Sequence, residues 1–320
     1  DLHSFPTRRS SDLLVEKWQL FKEYCCQDVV TEMEIERRLS GFPVPDSVQK
    51  QWETDLIINR RGVAVDMRFV EGALVIGQQV KSEMMNKAIE ISGLENPNSV
   101  VQLTRWVDDN TGPDIKINDL RKETVSRILK KETLTEDVRD MLQIRQELGK
   151  TSTKKYDAIK ECVCPDNRVR GLLQFYGANR TGRWAGRLVQ VQNLPRTYTD
   201  PIEIARELVT DRKTNTLKLL YGSASDTLSQ LIRTAFVASP GNVLVDADFS
   251  AIEARVISWL ASEKWRLDVF KTHGKIYEAS ASQMFGVPIE LIKKGNPEYA
   301  LRAKGKVAEL ALGYRGARGL

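Results

Sequence analysis

Histidine is nearly absent from this chain: His3 and His273 are the only two in 320 residues. That scarcity argues against histidine-based nucleophilic catalysis and against a histidine-ligated zinc centre. Cysteine is sparse too. Cys25 and Cys26 are adjacent, Cys162 and Cys164 form a lone Cys-x-Cys, and neither spacing is that of a zinc site or a disulfide framework. They read as reduced thiols. No apolar run approaches the length needed to cross a bilayer, so no membrane partner is expected. An enzyme of this composition has to work with carboxylates, cations and a hard metal.

What is present is a chain of 41% apolar residues, long enough for two or three domains, with a net charge of +5 that weakly suits an anionic partner. Its organising stretch is Gly241 to Leu260, GNVLVDADFSAIEARVISWL. Val243-Leu244-Val245 predicts a short buried strand that ends on acid, Asp246 and Asp248. Ile252, Val256 and Leu260 then recur at helical spacing. A carboxylate at the end of a buried strand is a rigid post for a metal. The same residues fit a plainer reading, a capping box with Ser250 as N-cap and Glu253 at N3.

A second stretch, Leu301 to Tyr314, reads LRAKGKVAELALGY. Arg302, Lys306, Leu310 and Tyr314 are spaced by four, so one helix face carries them over about 18 Å. Two cations, an aliphatic residue and an aromatic ring in that order suit a ligand with polyphosphate at one end and a planar base at the other. Taken alone, this pattern also fits an amphipathic helix with solvated charges.

Together the two stretches resemble motifs A and B of the family A DNA polymerases, the DNA polymerase I family. Asp248-Phe249-Ser250-Ala251-Ile252-Glu253-Ala254-Arg255 matches the first and the 301–314 helix the second. The wording of GRWAGRLVQVQNLPR, TAFVASPGNVLVDADFSAIEARV and HGKIYEASASQMFGVP is closest to phage and prophage members. The resemblance implies a helix-rich α+β fold: a right-hand polymerase with thumb, partial palm and partial fingers, preceded by the C-terminal tail of an RNase H-like 3′-5′ exonuclease domain. The expected divisions are 14–45 for that tail, 46–150 for the start of the polymerase domain and thumb, 151–260 for a partial palm with motif A, and 261–320 for partial fingers with motif B. Residues 1–13, DLHSFPTRRSSDL, resemble a translated sequencing adapter and are set aside.

Site residues follow from the same resemblance. Asp248, helped by the carbonyl of Phe249, would hold magnesium, two ions in the intact enzyme, for phosphoryl transfer to a primer end. Arg302 and Lys306 would bind the β- and γ-phosphates, with Lys306 also placed to protonate pyrophosphate. Glu253 would abut the sugar's 2′ position and favour deoxynucleotides. Tyr277, Leu310 and Tyr314 complete the nucleotide set. Lys154, Arg183, Gln192, Asn193 and Arg255 would contact primer-template DNA. Lys154 belongs to a basic run from Lys150 to Arg187, interleaved with Phe175, Tyr176 and Trp184; as a plain alternative, this run is an unspecific basic β-hairpin. Thr181-Gly182-Arg183 and Gln192-Asn193-Leu194-Pro195 keep the family's spacing. Tyr24 and Asp28 resemble the last motif of the proofreading exonuclease.

The expected partners are primer-template DNA and deoxynucleoside triphosphates, the expected state a monomer, and the expected location the cytoplasm of a bacterial host. Two departures stand out: Leu310 replaces the family's Phe or Tyr, and Arg315 follows Tyr314 where the family has Gly. The motif with the second metal carboxylate is expected past residue 320, so the chain as given is expected to be inactive. The alternatives are a non-catalytic DNA-binding fragment and an exonuclease remnant.

Along the rest of the chain, one apolar stripe, Val15, Trp18, Phe21, Cys25, Val29 and Met33, predicts a helix over 14–39, and Gly41 to Pro45 a boundary. Further helices are predicted over 69–94, over 123–148 as one long charged element with a solvated face, and at Ile202 to Val209 with a second short helix after it; the resemblance implies two more, fingers helices at 265–270 and 276–285.

Overall fold

The structure is a computed structural model, and it describes residues 15–112, 115, 117, 119–149 and 153–313. The chain divides into two compact units, Asp1–Val243 and Leu244–Leu320, each described here by itself.

In the first unit, α1 (Val15–Leu39) forms where the apolar stripe predicts it. The stripe is not buried: Trp18, Phe21, Val29 and Met33 remain exposed, and Trp18 stacks on Phe21 with ring centroids 5.7 Å apart. After the Gly-Pro boundary, α2 (Asp46–Arg61) ends at Gly62 and turns into β1 (Val63–Val65). The side chain of Asp66 then caps α3 (Met67–Ser92), accepting from the Phe69 amide at 3.1 Å. Helix α3 is the spine of this unit. It buries Phe69, Val70, Ala73, Ile76 and Val80 against Tyr156, Leu217, Leu228 and Leu231.

Helix α4 (Val100–Asp109) is capped by Ser99. The single helix expected over 123–148 is two, α5 (Lys122–Ile128) and α6 (Glu136–Leu148). The break has a local cause: Thr135 takes the N-cap position, its side chain accepting from the Val138 amide. Nor is this charged stretch merely a solvated face. Val125, Ile128, Val138, Met141, Leu142 and Ile144 share a second core with Leu103 and Val107.

Helix α7 (Lys154–Cys162) leads to β2 (Arg168–Val169), then to a hairpin of β3 (Leu173–Ala178) and β4 (Arg183–Gly186). Where a helix at Ile202 to Val209 and one short helix after it were expected, there are three: α8 (Ile202–Thr210), α9 (Thr214–Tyr221) and α10 (Ala224–Leu231). Strand β5 (Phe236–Val237) closes an antiparallel sheet of order β2-β1-β5, with Val63 opposite Val169 and Val65 opposite Phe236. Tyr156, on α7, donates to the Leu228 carbonyl at 2.7 Å, and its burial pushes the phenol pKa up.

The buried strand expected at 243–245 does not form. Val243, Leu244 and Val245 are 82%, 65% and 85% exposed. The sheet stops at β5, and no described strand pairs with this segment; an extended chain with strand propensity and no ladder partner stays in solvent.

The second unit is helical: α11 (Ile252–Leu260), α12 (Lys264–Thr272), α13 (Ile276–Phe285) and α14 (Leu301–Gly313). The capping box of the plainer reading, with Ser250 as N-cap, is not made either. The residue before α11 is Ala251, left-handed at φ 49°, and it offers no side-chain cap. Helix α11 therefore starts at Ile252, which moves Glu253 from the third helical position to the second. Its expected apolar stripe, Ile252, Val256 and Leu260, lies exposed, and Ser258 is its buried residue.

Candidate functional site

Helix α14 sits so close to α13 that position 305 has room only for hydrogen. A Cβ there would lie 2.1 Å from the Tyr277 carbonyl oxygen. Gly305 stands between Lys304 and Lys306, so the small residue that permits the crossing directly precedes the second cation of the motif.

The crossing is pinned by a buried polar cluster that sequence reasoning missed. Glu309, its side chain 2% exposed, accepts from the Ser280 hydroxyl on α13 and pairs with Arg266 of α12 at 3.1 Å. Arg266 also pairs with Glu263 at 3.1 Å and lies over the Trp265 ring, 5.1 Å from its centroid. The available sequence signal was a glutamate within an otherwise apolar stretch of the helix, Val307 to Leu312.

Two of the predicted nucleotide residues meet here. The Arg302 guanidinium lies 5.4 Å from the Tyr277 ring centroid and 6.0 Å from that of Tyr299. Its Nε donates to Glu278 Oε1 at 2.7 Å. Lys306 is half-buried one turn further on, and Leu310 is 40% exposed one turn beyond that, on the same side of the helix. Tyr314 lies outside the described residues. The tandem Arg302-Lys306 array can take a polyanion, the guanidinium through a planar fork and the ammonium as a point charge.

Asp248 and Phe249 lie in the exposed segment before α11. A carboxylate and a backbone carbonyl are the hard oxygen donors that magnesium prefers. Among the described residues, however, no group of three or more His, Cys, Asp or Glu could hold a metal ion. Asp248 thus offers an oxygen donor of the right chemistry, outside any such group among the described residues. Glu253 is half-buried on the first turn of α11. Arg255 is turned inward, donating to the Ser250 carbonyl at 2.8 Å and covering the Phe270 ring at 4.5 Å.

In the first unit the basic run sorts into two kinds. Arg168 stitches the sheet, donating to the carbonyls of Arg61 and Gly62 and to the Ser239 hydroxyl. Arg170 donates to the Arg60 carbonyl and grips Asp166 through both Nη groups, holding that exposed carboxyl at about 2. Lys154, Arg180, Arg183 and Arg187 remain exposed.

Arg183 opens β4 after a turn that only glycine fits. Gly182 has φ +68°, and a Cβ there would meet the Tyr176 ring at 2.8 Å. Phe175 packs edge-on against Trp184 at 6.0 Å, so two of the interleaved aromatics hold the hairpin together. Gln192 and Asn193 are exposed in a 3₁₀ turn, with the Gln192 carboxamide filling the space beside Gly186. The structure thus gathers Arg183, Gln192 and Asn193 around one hairpin. Tyr24 and Asp28 both lie exposed on α1. No helix of the described residues is long and apolar enough to cross a membrane.

A sequence model described as DNA polymerase family A matches residues 75–315. The DNA polymerase of Bacillus phage SP02 is 52% identical over 304 residues, which is 95% of this chain and 46% of that protein. DNA polymerase I of Rhizobium leguminosarum is 33% identical over 120 residues, 32% of this chain and 11% of that one. Among solved structures, the POL domain of Pol1 from M. smegmatis, in complex with DNA primer-template and dNTP, superposes with a TM-score of 0.51. That match covers 79% of this chain and 39% of the other, at 20% identity, a likeness of fold. The chain spans about half the length of the phage polymerase and less of the other relatives named.

Proposed function

The chain belongs to DNA polymerase family A, and we propose from that premise that it carries the nucleotide-gripping and primer-gripping parts of a template-directed DNA polymerase of the phage type. The observation that carries the reading is the α13–α14 crossing. It sets Arg302 against Tyr277 and leaves Lys306 one turn away, inside the stretch that matches the family.

In this reading Arg302 and Lys306 bind the triphosphate of an incoming deoxynucleotide. Charge neutralisation there favours the leaving pyrophosphate, and Lys306 can protonate it. Glu253 gauges the sugar from the first turn of α11. Arg183, Gln192 and Asn193 hold the primer-template around the hairpin, with Lys154 adding phosphate contact. Arg255 acts through its packing on Phe270 more than by direct DNA contact. Residues 14–45 are the proposed exonuclease tail, with Tyr24 and Asp28 as its remnant. Residues 46–150 are the proposed thumb region, 151–260 palm and 261–320 fingers.

Magnesium would supply activation of the primer hydroxyl and stabilisation of the leaving group, and Asp248 with the Phe249 carbonyl would be its ligands. Two ions side by side require more than one carboxylate, and among the described residues no group of three or more His, Cys, Asp or Glu could hold a metal ion. That observation favours a second reading for these 320 residues taken alone, DNA binding without synthesis. Primer-template binding and primer extension, measured on the same preparation, separate the two. Binding with no magnesium-dependent extension is the expected result. Extension that Asp248→Ala abolishes would show that a second metal ligand lies within this chain.

A further inference from the structure

The contact that holds Arg302 has a direction. Only Nε of the guanidinium is used, donating to Glu278 Oε1 at 2.7 Å. No described group pairs with either Nη. The Glu278 side chain is 14% exposed and that of Arg302 36%, so the carboxylate sits beneath the guanidinium and the arginine faces outward. Two rings flank the same group: Tyr277 from α13, and Tyr299 from the 3₁₀ turn Pro297–Ala300 that leads into α14. A carboxylate competing with phosphate would be expected to take the paired edge of the fork, as Asp166 takes both Nη groups of Arg170. Glu278 leaves that edge open.

We propose that Glu278 and Tyr299 are positioning residues for Arg302, fixing the guanidinium by its Nε edge and its faces so that both Nη groups are presented to the phosphates of a nucleotide. The proposal rests on the reading that α14 grips the triphosphate. The physical advantage is preorganisation. A long arginine side chain loses rotamer freedom when it captures an anion, and a guanidinium already held in place loses less. Glu278 also neutralises part of the cationic charge, so the gain in orientation is set against a weaker field. The sign of a charge-removing substitution therefore reports which effect dominates.

The test uses the 320-residue chain with magnesium, titrated calorimetrically with inorganic tripolyphosphate and with dTTP, and melting followed for every variant. Arg302→Ala is expected to weaken both ligands by about tenfold or more, the loss of a charge-assisted fork. Glu278→Ala is expected to weaken them about fivefold, within the range of coupling between contacting residues. Glu278→Gln, whose amide oxygen still accepts from Nε, should stay within about twofold of the parent. Tyr299→Leu should weaken both ligands by about threefold through the lost cation–π wall. The discriminating measurement is the double variant: Glu278→Ala added to Arg302→Ala should cause no further loss.

A full additional loss in that background would overturn the proposal and leave Glu278 a general structural residue. Tighter binding by Glu278→Gln would overturn it in favour of a carboxylate that competes with phosphate. Should Glu278→Ala melt early, the isosteric Gln variant and Tyr299→Leu still decide between these outcomes. If Arg302→Ala leaves both affinities unchanged, the reading of α14 falls and this proposal falls with it; if Arg302→Ala weakens binding while the Glu278 and Tyr299 variants do not, only the positioning role is lost.

Discussion

At the scale of single residues, chemistry depends on which charges are already spent on the fold. Arg168, Arg170 and Arg255 are engaged by backbone carbonyls, a carboxylate or an aromatic ring. Glu309 is the clearest case of a residue whose setting decides its role. Its carboxylate is buried with Arg266 and Ser280 as partners, and removing one member of such a cluster strands the other. Glu309→Ala should therefore destabilise the second unit by about 3 kcal/mol, the low end for an uncompensated buried charge. Chemical denaturation followed through Trp265, which lies against Arg266, checks this. A loss under about 1 kcal/mol would mean that solvent or another group satisfies Arg266.

At the scale of elements, the motif helix depends on a close crossing more than on an apolar stripe. Gly305 is the contact point, and its position between two lysines gives no hint of that in one dimension. Gly305→Ala should force α14 away from α13, with a loss of about 1–3 kcal/mol from overpacking and weaker nucleotide binding, because Arg302 moves with its helix. A melting curve and a dTTP titration on the same variant measure both effects, and unchanged melting would place the two helices further apart than described. The hairpin obeys a similar rule. Gly182 turns with the Tyr176 ring against it, which explains why a Thr-Gly-Arg element stands at that bend.

At the scale of the molecule, the first unit presents exposed cations around a hairpin and the second presents a cationic helix face. A net charge of +5 is modest, so binding to primer-template should come from clustered contacts and fall with salt. Arg183→Ala should lower affinity and reduce the slope of log K against log salt by about 1. Fluorescence anisotropy across a salt series reads this directly, and a salt-insensitive affinity would remove the hairpin as a phosphate grip.

Much of this could be read from the amino-acid sequence alone. Helical periodicity placed α1, and a break signal helped bound α3, to within a few residues, because both are local properties, whereas α12 and α13 were placed through the family resemblance. The paired motifs pointed to the family that matches residues 75–315, because a long ordered string of residue types is specific without any coordinates. Only the tertiary structure decided whether local preference is realised. Val243 to Val245 has strand propensity but no ladder partner, so it lies open. Ser250 could cap a helix that instead begins at Ile252, after a left-handed Ala251. Glu278, Tyr299 and Gly305 were silent in sequence, and Glu309 showed only as a lone acid in an apolar stretch, because each acts through a neighbour on another element, and pairing across elements is set by packing, which no local pattern encodes.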